Sequence, residues 1–150
     1  AELELSSTWP TRGYVSDEFG SWDQFRKDLG LGPHSGTDIA NEHGQIGEPV
    51  TTFMTGKIVY VDNDKAGDCG KSVKVEHDFN IASLYCHLDS AIELTPGTPV
   101  VPGDLIGYMG STGTSTGAHL HLSIYVYGVL VNPRTFLTGE PKGTYETPTF

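Results

Sequence analysis

The chain has 150 residues, enough for one domain that buries a proper core without staples. Nineteen acidic against nine basic residues give a formal charge of -10, which opposes a phosphate backbone and argues against a nucleic-acid partner or a surface that clings to anionic membranes. No apolar run approaches the roughly 20 residues needed to span a bilayer, so a soluble chain is expected.

Nineteen glycines and nine prolines spread along the chain predict a mostly β domain of many short strands, with at most one or two short helices. The opening "AELELSSTWP" has neither a charged n-region nor an apolar h-region, so a signal peptide is absent or already removed. "GYVSDEF" (13–19) predicts a strand, and "WDQFRKDL" (22–29) one short helix stopped by Gly30 and Pro33. Strands follow at 49–63, 71–78, 81–89 and 103–110, and the strongest strand signal is 119–131, with a hairpin turn offered at Gly128. "VKVEHD" and "IASLYCH" flank "DFN", which predicts an antiparallel hairpin. From Thr138 the chain turns to Pro, Thr and Gly, so 1–138 is expected to be the folded domain and 139–150 an exposed tail or the start of a linker. Cys69 and Cys86 are too few and too far apart for a zinc knuckle or a redox CxxC; they form one disulfide in an oxidising compartment or remain two thiols.

The chemistry gathers on the histidines. In "GAHLHLSI" (117–124), strand alternation sends His119 and His121 to one side and Leu120 and Leu122 to the other, into the core. Taken alone, such a pair fits a solvated sheet face equally well. "HSGTD" (34–38) sets His34 four residues ahead of Asp38, and its Gly and β-branched Thr oppose a helix, so both side chains converge through a turn or an extended bend. Together with one imidazole of the HxH they supply the three N and O ligands that a catalytic zinc uses when its fourth position is kept for water. The remaining imidazole then stands ready to take a proton. His87, near a strand end in "LYCHLD", is a candidate for the second proton-handling or charge-stabilising group.

Two other motifs compete. "GTSTG" (113–117) fits G-x-S-x-G with Ser115 as nucleophile, but that elbow sits between a strand and a helix, and here a strand-like run follows. "GSTGTSTG" lacks the lysine of a phosphate loop. His77 reads as a strand residue bonded locally and His43 as loop surface; neither is a ligand candidate.

"HSGTDIA", "YCHLDS" and "GSTGTSTGAHLHLSIY", in that order, resemble the three signatures of the lysostaphin or LytM type of zinc metallopeptidase, the M23 peptidase family. "WPTRGYVSDEFG", "GEPVTTFMTGKIVYV", "GDLIGYMG" and "VNPRTFL" extend the likeness over residues 9–137. The resemblance implies that family's antiparallel sheet, one Zn2+ per chain held by His34, Asp38 and His121, and a catalytic pair in which His119 is the general base and His87 stabilises the oxyanion or positions water. It also implies an extracytoplasmic enzyme that cuts the peptides of bacterial peptidoglycan. A relative of the same fold that serves as a non-catalytic or partner-gated assembly module is the alternative. Two departures stand out: the lead-in "SWDQFRKDLGLGP" is longer than expected and offers no tyrosine to stabilise the intermediate, and the acidic charge is unusual for an enzyme meeting an anionic wall, favouring a housekeeping role or a domain of a larger protein over a secreted lysin.

Overall fold

In the computed structural model of the chain, which describes residues 8–20, 24, 28, 35–40, 46–63, 69–112 and 118–137, the runs rich in β-branched and aromatic residues form the strands. There are ten among the described residues: β1 (Tyr14–Asp17), β2 (Thr37–Ala40), β3 (Pro49–Thr51), β4 (Gly56–Asp62), β5 (Lys71–His77), β6 (Ile81–Ala91), β7 (Pro99–Val100), β8 (Leu105–Met109), β9 (His119–Val126) and β10 (Val129–Val131). They pair antiparallel in the order β1-β2-β9-β6-β5-β4-β7, with β10 beside β9 and β8 linking β3 to β6. The expected mostly β, antiparallel architecture is the observed one.

The differences are local. The single run expected over 49–63 is two strands, broken at residues 52–55, where Thr52 Oγ1 donates back to the Met54 carbonyl at 2.7 Å. The two-residue β7 precedes a Pro and was not anticipated. Of the expected helix, Gln24 and Asp28 are helical and joined side chain to side chain at 2.8 Å; the rest of that stretch, like the expected tail, lies outside the described residues.

One face of the sheet is apolar. Ile39, Val73, Val75, Tyr85, Leu120, Leu122 and Ile124 are buried there beneath Phe53, Met109 and Leu137. Truncating one of the leucines to Ala costs about 2–5 kcal/mol. Both hairpins beside the site close through two-residue turns with positive φ, Phe79–Asn80 (63° and 59°) and Tyr127–Gly128 (51° and 75°), the turn hand that matches strand twist. The predicted hairpin across "DFN" is therefore present, and so is the turn at Gly128.

Tyr85 and His77 bring polar atoms into this core and both are satisfied. His77 Nδ1 is 2.9 Å from the Thr55 carbonyl and so donates to it, which leaves Nε2 to accept from Ser83 Oγ at 2.8 Å. The Ser83 and Tyr85 hydroxyls are 2.8 Å apart, and the Phe53 N–H donates to the Tyr85 oxygen at 2.9 Å. This chain holds one neutral tautomer of His77, and burial accordingly lowers its pKa from 6.5. His77 is the locally bonded strand residue that the sequence predicts. Cys69 and Cys86 are joined in a disulfide, which closes the alternative the sequence left open.

Candidate active site

Strand register assembles the site on the opposite face. Asp38 of β2 pairs with His121 of β9, and His121 pairs with Cys86 of β6; Ala40 pairs with His119. Directly paired residues point to the same side, so Asp38, His119 and His121 share the face turned from the core, as alternation predicts.

Position 36 decides how closely the "HSGTD" segment lies on β9. A Cβ there would stand 2.2 Å from the Leu122 carbonyl oxygen and 2.9 Å from His121 Nε2, so only glycine permits the approach. With that contact made, Asp38 Oδ1 lies 2.9 Å from His121 Nδ1, and Asp38 Oδ2 lies 3.7 Å from His119 Nε2.

His121 is fixed from its far side. Nε2 lies 2.9 Å from Ser123 Oγ and 3.3 Å from Ser35 Oγ, and Ser123 Oγ donates its own proton to the Ser35 carbonyl at 3.3 Å. In the tautomer in which Ser123 accepts from Nε2–H, the Nδ1 lone pair is aimed at the Asp38 carboxylate. A lone pair and a carboxylate oxygen 2.9 Å apart repel one another unless a proton or a cation joins them. The donor chemistry of Asp38 and His121 thus fits a divalent cation. His34, the third expected ligand, lies outside the described residues, and among those residues no group of three His, Cys, Asp or Glu side chains is placed to hold a metal ion.

His87 arrives by an irregularity in β6. Tyr85 and Leu88 are both fully buried in the core although they are three residues apart. Strict alternation forbids this, so one extra residue is accommodated. His87 takes it up at φ 63°, opposite a register shift between Lys71 and Val73 of β5. Its N–H donates to the Cys69 carbonyl at 2.7 Å and its Nδ1–H to the Thr112 carbonyl at 2.6 Å, and the disulfide holds the preceding residue. The ring centroid lies 4.8 Å from that of His119 and 5.9 Å from that of His121. Burial above all keeps the imidazole below its usual 6.5, the Thr112 carbonyl opposes this, the two neighbouring histidines reinforce it and Asp38 opposes it.

Asp38, His87, His119 and His121 therefore come together; His34, His43 and Ser115 are outside the described residues. Where the Ser115 reading requires a helix, β9 begins at His119. Sequence reasoning overlooked Ser123, although the alternation that paired His119 with His121 also places Ser123 on their face. Thr112 carried no such signal, because only its backbone carbonyl takes part.

An antiparallel sheet thus bears a carboxylate and three clustered imidazoles on one face, and the comparisons with known proteins give the family. The sequence pattern of peptidase family M23 matches residues 32–133, and the chain belongs to that family. It is 36% identical over 111 residues to the DD-carboxypeptidase/endopeptidase Mpg of Neisseria meningitidis serogroup B, covering 74% of this chain and 24% of that protein. It is 33% identical over 129 residues to the murein hydrolase activator NlpD of Escherichia coli K12, covering 86% of this chain and 30% of that one. The chain thus spans about a quarter to a third of the length of these relatives. Among solved structures, a zinc-containing peptidase from Vibrio cholerae superposes with a TM-score of 0.73 at 27% identity, over 92% of this chain and 41% of the other.

Proposed function

We propose that the chain is a zinc-dependent endopeptidase acting on the peptides of bacterial peptidoglycan. The observation that carries this reading is the convergence of Asp38 and His121 as metal donors beside the paired rings of His87 and His119. His34, Asp38 and His121 hold one Zn2+ in this reading, and His34 rests on the "HSGTD" motif alone. Zinc bound there would lower the pKa of its water to about 7 and polarise the scissile carbonyl.

The chain's own groups do the rest. His119, held near Asp38, takes the proton of the attacking water and returns one to the leaving amine. His87 spends Nδ1 on Thr112 and presents Nε2 to the substrate, where in its protonated form it donates to the developing oxyanion. With no tyrosine between Gly20 and His34 to share that task, stabilising the oxyanion falls to His87. The compartment is extracytoplasmic, in keeping with the Cys69–Cys86 disulfide.

The likeness to a murein hydrolase activator favours one further reading, a partner-gated or non-catalytic module on the same fold. Mass spectrometry of purified peptidoglycan incubated with the zinc-loaded protein separates the two. New peptide ends that chelators suppress support the peptidase, and wall binding without any cleavage supports the module.

A further inference from the structure

The face that carries the imidazoles continues beyond them. Tyr60 of β4 pairs with Lys74 of β5, Lys74 with Leu84 of β6, and Leu84 with Ser123 of β9. Paired residues share a side, and Ser123 bonds directly to His121, so this row crosses four strands on the site's own face. Tyr125, two residues past Ser123, shares that side, and the Lys74 ammonium sits 5.7 Å from the centre of its ring. Tyr60, paired directly with Lys74, stands beside it on the neighbouring strand.

Charge makes Lys74 unusual here. The chain carries ten more acidic than basic residues, and Lys71, the other lysine at the start of β5, gives its ammonium to the Asp89 carbonyl at 2.9 Å. Lys74 forms no ion pair with a carboxylate among the described residues. Glu76 lies two residues further along the same side, and its direct cross-strand partner is Lys57. Two strand spacings of about 4.8 Å and the two residues of about 3.3 Å from Ser123 back to His121 put the Lys74 backbone ~12 Å from that of His121, the length of about three to four extended residues. A peptide crossing the strands from the imidazoles would meet the half-buried Lys74, its ammonium near the Tyr125 ring and Tyr60 on the neighbouring strand.

We propose that Lys74, flanked by Tyr60 and Tyr125, anchors a free carboxylate of the substrate about three to four residues from the bond that is cut. The preferred substrate is then an extended peptide bearing a free acid at that distance, with the aromatic rings shielding the pair from water. This rests on the peptidase reading above and deepens it.

The test uses synthetic crosslinked peptides identical except that this carboxylate is free or converted to a carboxamide, presented to zinc-loaded wild type, Lys74→Gln and Lys74→Arg. The wild type is expected to prefer the acid by about tenfold in kcat/KM, mostly through KM, as an ion pair with hydrogen bonds implies. Lys74→Gln should bring the acid-to-amide ratio close to one, and Lys74→Arg should restore it. A ratio that survives in Lys74→Gln, or a wild type that never discriminates, overturns the anchor. Calorimetric binding of the same two peptides keeps the tests separate. If nothing is cleaved, the peptidase reading fails, and a binding preference for the acid that Lys74→Gln abolishes still supports the anchor, whereas equal binding overturns it.

Discussion

At the scale of single residues, the orientation of His121 decides whether Asp38 gains a partner ligand or a repelled neighbour. The relay from His121 Nε2 through Ser123 Oγ to the Ser35 carbonyl accommodates the tautomer whose Nδ1 lone pair faces Asp38, the one a cation would need. Outer partners of this kind tune metal affinity by about 10–100-fold. Ser123→Ala is therefore expected to weaken zinc binding within that range, measured by competition with a fluorescent chelator, while the far-UV circular dichroism stays that of the wild type. Undiminished affinity would remove Ser123 from the account. That this residue went unnoticed in the sequence has a physical reason: a serine beside a histidine is common on any solvated strand, and only the 2.9 Å contact distinguishes it.

At the scale of elements, β6 carries the site's main irregularity. The extra residue between Tyr85 and Leu88 keeps both in the core and leaves His87 on the other face, where the Cys69–Cys86 disulfide and the Cys69 carbonyl secure it. With the cysteines 17 positions apart in the sequence, loop-closure entropy assigns the bond about 3 kcal/mol. Replacing both cysteines with serine is expected to lower the unfolding free energy by about that amount in urea titration, and to reduce kcat more than KM as His87 loses a restraint. Unchanged stability and turnover would contradict this. The strands themselves were legible because alternation in "HLHLSI" and the turn chemistry of "DFN" and Gly128 agree with their pairing. The bulge was not, since "LYCHLD" can be read in either phase and only long-range pairing with β5 chooses between them. The two-residue β7 was equally hidden, being held by its neighbour β4 rather than by any pattern of its own. In the site, Asp38, His87, His119 and His121 were legible from their motifs, whereas choosing between His119 and His121 as ligand depended on family likeness.

At the scale of the whole molecule, the two faces of one sheet respond differently to acid. His77 sits in the core in a single neutral tautomer, its pKa held below 6.5 by burial. The unfolded chain then binds more protons than the folded one as pH falls through 6.5, so this group's stability is complete above that value and is lost progressively below it, down to the folded pKa. The slope from one such group is at most about 1.4 kcal/mol per pH unit. Metal-free wild type minus His77→Gln, compared by urea unfolding between pH 7.5 and roughly 5, should show the wild type losing its advantage on the acid side, and parallel curves would contradict the assignment.

The other face is proposed to hold one cation, and its zinc stoichiometry and affinity, measured in parallel for wild type, His121→Ala and His119→Ala, test the account most directly. One tightly bound zinc per wild-type chain, a loss of affinity of at least about 100-fold in His121→Ala, and near-normal zinc with no turnover in His119→Ala is the predicted result. A wild type that takes up no stoichiometric zinc, or a His119→Ala variant that loses the metal while His121→Ala keeps it, would contradict it.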